Sequence, residues 1–234
     1  MANNLRKFNT VADYQAAQLN YPAVSWITAT DGVYFDKTAP TPTFGSLTVY
    51  YDIEDPSVEI ALFNGGGDSS SEGGSGGGGA LPTTMIVDGN SETPIATWRF
   101  QTAGEHIVQY TFENNDIPQG FMHDIGWATK IEIGNDITTI PDETADGKPF
   151  GDMVDLTSVT ISDSITSIGY NAFYGCYSLT SITVEATTPP TLGNNAFAST
   201  NSCPIYVPAS SVDEYKNSTS TGWSEYASRI QAIQ

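Results

Sequence analysis

A chain of 234 residues, 39% of them hydrophobic, can bury one large core or two smaller ones. Its 27 acidic residues against 8 basic ones give a formal charge of −19, spread singly along the chain. That field repels phosphate backbones and anionic lipid, which excludes nucleic acid and membrane surfaces as partners.

The polar remainder is mostly Thr, Ser, Asn and Gly, which suits strands joined by turns, so the expected class is mainly β. Residues 1–44 form a first segment. Thr10, with Asp13 three positions on, predicts a capped short helix through VADYQAAQL. VSWIT and VYFD flank Ala29-Thr30-Asp31-Gly32 and predict a tight hairpin, and TAPTPTF then leaves as an extended linker. A helix and one hairpin cannot fold alone, so this segment is expected to dock onto a partner or onto copies of itself. Residues 1–30 contain no basic stretch followed by an apolar one, and no apolar run approaches the roughly 20 residues that span a bilayer. No signal peptide or transmembrane segment is expected.

Residues 45–114 read as a small β-sandwich with candidate strands SLTVYYDI, VEIALF, TMIVDG, PIATWRF and GEHIVQYTF. A Gly-rich insertion occupies 64–79. Such a run is a flexible loop unless an axial assembly, in which only Gly fits, orders it. That possibility, with the coreless first segment, points to self-association, three copies being favoured, while the last segment stays monomeric by itself.

Residues 115–234 carry a repeat. Ile131-Glu132-Ile133, Val159-Thr160-Ile161, Ile182-Thr183-Val184 and Ile205-Tyr206-Val207 begin 28, 23 and 23 residues apart. ITTI answers ITSI, LTSVTI answers LTSITV, and NAF recurs at Asn171 and Asn195. The reading is a short solenoid in which each turn gives one strand to a sheet and at least three turns must stack to close the apolar face. Beyond Val207 the pattern changes. Ser211 with Glu214 predicts a capping box, and Trp223, Tyr226 and Ile230 a bulky terminal lid.

No constellation for catalysis is visible. His106 and His123 stand outside any metalloprotease frame, and Gly147-Lys148-Pro149 lacks the flanks of a phosphate loop. The carboxylate pairs Asp52 with Asp55 and Asp152 with Asp155 fit solvated turns better than calcium. Cys176 and Cys203 are too few for a disulfide framework; they are small buried hydrophobes, or a bridge if adjacent turns bring them together. Neither an enzyme nor a metal or cofactor site is expected. Strand alternation instead places Lys130, Glu132, Ser158, Thr160, Ser181, Thr183 and Tyr206 on one outward strip. Its short hydroxyls suit hydrogen bonding to a host-surface glycan, with Tyr206 as the stacking group, although Thr and Ser also favour strands for their own sake.

With LTSVTISDSITSIGYNAFYGCYSLTSITV in view, this half of the chain resembles the BspA-type leucine-rich repeats of bacterial surface proteins. Ile168, Ala172, Phe173, Cys176, Leu179 and Ile182 fall on the family's unit, and ADGKPFGDM departs from it. The opening LRKFNTVADYQAAQLNYPAVSWITATDGVYFDKTAP is similar to segments that open structural proteins of tailed phages of gut Bacteroides, the crAss-like group among them. Together the resemblances imply a virion structural protein, a head fibre or capsid decoration, that docks to capsid or other virion proteins through residues 1–44 and displays the repeats. The alternative is a bacterial cell-surface adhesin of the same repeat family.

Overall fold

The computed structural model describes residues 46–64, 81–145, 147–219 and 221–234, with Thr28–Ala29 and Gly32–Val33. The chain divides into two compact units, 1–43 and 44–234. Within the first, β1 (Thr28–Ala29) pairs antiparallel with β2 (Gly32–Val33). The helix expected over 11–19, the TAPTPTF linker and nearly all of the Gly-rich insertion lie outside the described residues.

The second unit holds β3 (Ser46–Ile53), β4 (Ile60–Ala61), β5 (Thr84–Val87), β6 (Asn90–Glu92), β7 (Thr97–Trp98) and β8 (Gly104–Thr111). Then come the strands of the repeats: β9 (Ala128–Ile133), β10 (Thr139–Ile140), β11 (Ser158–Ile161), β12 (Ser167–Ile168), β13 (Ser181–Val184), β14 (Thr191–Leu192) and β15 (Ile205–Val207). Helix α1 (Val212–Asn217) and β16 (Ile230–Ala232) finish the chain.

The repeat register is the one the spacing predicts. Ile131 pairs with Val159, Val159 with Ile182 and Ile182 with Ile205, all parallel. The five-residue excess in the first interval is absorbed outside the sheet. Opposite, β10, β12 and β14 form a narrower parallel sheet, and between the two walls one ring per turn stacks along the axis. Phe150, Phe173 and Phe197 follow each other at 5.1 and 5.6 Å, and Trp223 of the cap ends the column 5.8 Å beyond Phe197.

The recurring small letters have separate tasks. In each LTS the Thr hydroxyl reaches back to the preceding turn: Thr157 Oγ1 donates to the Thr129 carbonyl at 2.8 Å and Thr180 Oγ1 to that of Thr157 at 3.0 Å. In each NAF the Asn takes a left-handed backbone, φ 54° at Asn171 and 58° at Asn195, which Asn tolerates better than most residues. Gly169 and Gly193 let successive turns touch, since a Cβ there would lie 2.1 Å from the Pro141 carbonyl oxygen and 2.3 Å from the Tyr170 nitrogen.

The strands expected over 45–114 form in part, but they do not stand apart as a sandwich. β3 pairs antiparallel with β8 on one side and with β9 on the other, Val49 lying between Val108 and Ile131. Among the described residues, nine strands in the order β6-β5-β8-β3-β9-β11-β13-β15-β16 therefore make one sheet with one continuous core, and 44–234 is one unit. The physical reason is an open edge. A parallel solenoid leaves the backbone groups of its first strand unpaired, and the nearest chain that can pair with them is the segment just before it. VEIALF and PIATWRF shrink to two-residue strands, β4 and β7, paired with each other. Phe63, Tyr110, Phe112 and Phe121 close this end, Phe63 stacking on Phe121 at 5.1 Å and Tyr110 and Phe112 meeting Phe121 edge-on.

At the other end the lid forms with one change. Trp223 is buried and donates from Nε1 to the Pro190 carbonyl at 2.7 Å, while Tyr215 donates to that of Ala186 at 2.8 Å. The Ser211–Glu214 capping box is absent. Ser211 ends a 3-10 turn that runs straight into α1, and with φ −111° and ψ −2° its hydroxyl caps no backbone N–H. Both cysteines are free and buried, so no bridge joins them. No helix among the described residues is long and apolar enough to cross a membrane.

Candidate functional site

The seven strip residues come into register on neighbouring strands. One row runs Lys130, Ser158, Ser181 and the next runs Glu132, Thr160, Thr183, Tyr206. All seven are half-buried; Glu132, Thr160, Thr183 and Tyr206 stand between buried neighbours, as alternation across a pleated sheet demands, while Lys130, Ser158 and Ser181 follow Thr129, Thr157 and Thr180, which are not buried.

Pairing of β3 with β9 lengthens this face beyond the repeats. Thr48 stands beside Glu132 and Tyr50 beside Lys130, and Gln109 and Ile107 of β8 follow. At the other margin Gln231 stands beside Tyr206. Tyr50 is the notable addition. Its hydroxyl donates to Glu132 Oε2 at 3.0 Å, and the Lys130 ammonium lies 4.5 Å over its ring while pairing with Glu132 Oε1 at 2.5 Å. Burial, reinforced by the Glu132 carboxylate, holds the Tyr50 phenol far above its ordinary range. The face therefore presents a ring and a neutralised ion pair at one end, a band of hydroxyls in the middle and the Tyr206 ring at the other. Nothing in the repeat signature points to Tyr50. Alternation within SLTVYYDI places it on an outward face, but not on this one.

Beyond Thr183 the face becomes acidic. Burial raises the Glu185 carboxyl above its ordinary value, and Asp163 and Glu132 push it further. Its folded value lies above its unfolded one, so its unfavourable contribution is complete above the folded value and fades as pH falls through it toward about 4. Glu185→Gln is expected to raise the thermal midpoint at neutral pH and to leave it unchanged near pH 3. An equal shift at both pH values would remove this cause.

The remaining chemically suggestive side chains hold structure. His106 Nδ1 lies 2.6 Å from Asp88 Oδ2, and its Nε2 lies 2.8 Å from the Thr102 carbonyl. Asp88 Oδ1 also accepts the Ile107 N–H at 2.9 Å, so the pair ties the β5–β6 turn to β8. Asp152 takes the Lys148 ammonium at 2.5 Å, and Asp155 Oδ2 accepts the Trp127 N–H at 2.9 Å. Asp55 turns its carboxylate onto Ser57, whose hydroxyl first and whose N–H, at 2.9 Å, second hold its pKa below the ordinary value. Burial pushes the Cys176 thiol up to about 12 while it donates to the Phe150 carbonyl, which removes it as a nucleophile. Among the described residues no group of three or more His, Cys, Asp or Glu is arranged to hold a metal ion.

Compared with known families, residues 115–219 match the model of the BspA type leucine rich repeat region, in 6 copies. No curated protein matches the chain.

Proposed function

We propose that this chain is a non-enzymatic surface protein in which the repeat region meets a ligand through the outer face of its large sheet. The match of residues 115–219 supports a surface, adhesion-type repeat domain. The observation that carries the reading is the unbroken register of Ser158, Thr160, Ser181 and Thr183 between two rings, Tyr50 and Tyr206. Short hydroxyls at fixed spacing make a flat surface that hydrogen-bonds to a glycan at small entropic cost, and a ring at each margin can stack on a sugar.

The finer reading is a head fibre or capsid decoration of a phage particle. Residues 1–44 would dock to the virion and bring three copies together, and the repeats would face outward. The similarity of the opening segment to phage structural proteins and the separation of residues 1–43 as their own unit support it. The family match equally favours a bacterial cell-surface adhesin, so the test separates the two.

Full-length protein is expected to co-sediment with purified capsids, and removal of residues 1–44 to abolish this. On glycan arrays the wild type is expected to bind, and the combined variant Thr160→Lys, Thr183→Lys, Tyr206→Ala to lose at least one class of glycan that the wild type holds. Co-sedimentation with bacterial cells alone selects the adhesin. A wild type that binds no glycan, or a combined variant that still binds every glycan the wild type binds, removes the strip from the mechanism.

A further inference from the structure

We propose that the C-terminal end of the solenoid carries a second binding site, separate from the strip, that takes one neutral sugar unit. It begins with a substitution between turns. NAFYGCYSL at 171–179 and NAFASTNSC at 195–203 occupy equivalent positions, so Ala198 stands where the inner turn has Tyr174. The inner ring is packed, with the Lys148 ammonium 5.1 Å from its centre. In the last turn that ring is missing, and an open groove lies between the turn and the cap.

Asn195, Ala198 and Asn201 line it from the turn, Glu225 and Arg229 from the cap, and Tyr177 from the preceding turn. Tyr177 is 59% exposed, the most exposed large apolar side chain among the described residues. The backbone here is strained around the buried Thr200. Ser199 holds φ 58° where the inner turn places Gly175 at 81°, and Asn201 and Ser202 follow at 52° and 50°. A left-handed backbone at non-glycine residues costs energy and gathers where a ligand is clamped.

Charge decides the ligand class. Arg229 is the one cation in the lining, and it is committed inward: Nε donates to the Cys203 carbonyl at 2.8 Å, Nη1 to that of Phe197 at 3.2 Å and Nη2 to Thr200 Oγ1 at 2.9 Å. The exposed Glu225 carboxylate balances the charge of Arg229, so the lining carries no net charge, and the −19 of the whole protein leaves anions unfavoured there. What fits an exposed phenol ring, two carboxamides and a carboxylate that accepts hydroxyl protons is a pyranose. Its C–H face stacks on Tyr177 and its hydroxyls meet Asn195, Asn201 and Glu225. The site shares no residue with the strip and does not depend on it.

The test uses the full chain on an array of neutral hexose and N-acetylhexosamine oligosaccharides beside uronic-acid and sialylated ones, followed by calorimetric titration of the strongest neutral probe. Wild type is expected to bind neutral probes. Tyr177→Ala should weaken binding about tenfold, the worth of one stacking contact. Ala198→Tyr, which restores the inner turn's ring, should abolish it, and the combined strip variant should retain it. Tyr177 is exposed, so its variant reads the site even if Ala198→Tyr folds poorly. The proposal is overturned if no neutral probe binds, if acidic probes are preferred, or if binding is indifferent to Tyr177→Ala in protein with an unchanged melting curve. Binding lost in the strip variant and kept in both pocket variants places the sugar on the sheet face instead.

Discussion

Phe173→Ala is expected to cost about 3–5 kcal/mol, enough to unfold much of the population of a domain of ordinary stability. Phe173 is fully buried at the middle of the ring column, 5.1 Å from Phe150 and 5.6 Å from Phe197 with the planes nearly parallel. Truncation removes apolar area and also leaves a cavity that two stacked neighbours cannot collapse to fill, because each is held by its own turn. Turns of a solenoid touch only adjacent turns, so the loss also interrupts the cooperative unit. Urea titration followed by tryptophan fluorescence, to which Trp223 at the far end of the column contributes beside Trp26, Trp98 and Trp127, should show a lower midpoint and a shallower slope. Phe173→Leu should recover most of the loss. A cost below about 1 kcal/mol for Phe173→Ala would mean that the column is not what holds the turns together.

The fragment 115–234 is expected to self-associate or fail to fold, whereas 44–234 should be a soluble monomer. From the repeats alone the solenoid looks self-sufficient. Once β3 is seen lying between β8 and β9, cutting before residue 115 strips the partner from a six-residue strand and exposes the core faces of Ile131 and Ile133. An uncovered edge of that length is a template for pairing with another molecule. Sedimentation velocity of both fragments at micromolar concentration, with thioflavin fluorescence on any aggregate, decides it. A monomeric 115–234 with a sharp melting transition would show that β3 and β8 ornament the solenoid rather than close it.

The two predictions separate what was legible in the chain from what was not. Ile131, Val159, Ile182 and Ile205 announce their register because neighbouring turns say the same thing at nearly equal intervals. The strip follows from that register and from alternation alone. β3 carries no such signature: it is an alternating strand like many others, and its partner β9 lies some 80 residues away in antiparallel sense, so neither the added sheet nor Tyr50 could be placed in advance. Ser211 and Glu214 have the right spacing for a capping box, but the spacing says nothing of a 3-10 turn that already occupies the entry to α1. NAF recurs at Asn171 and Asn195, and aligning the two turns sets Ala198 against Tyr174. That it opens a groove depends on where Glu225 and Arg229 come to rest, which only the folded cap decides.

The first repeat interval is 28 residues and the next two are 23, yet Ile131, Val159 and Ile182 stand side by side as if all were equal. Chain length on one side of each turn is thus decoupled from position on the other. A lineage bearing this domain can lengthen, shorten or exchange its connecting loops and keep the printed pattern of the sheet unchanged. It can equally rewrite the outward letters of the sheet one at a time without disturbing the loops. The sheet face and the loops can in this way change independently within a single small fold.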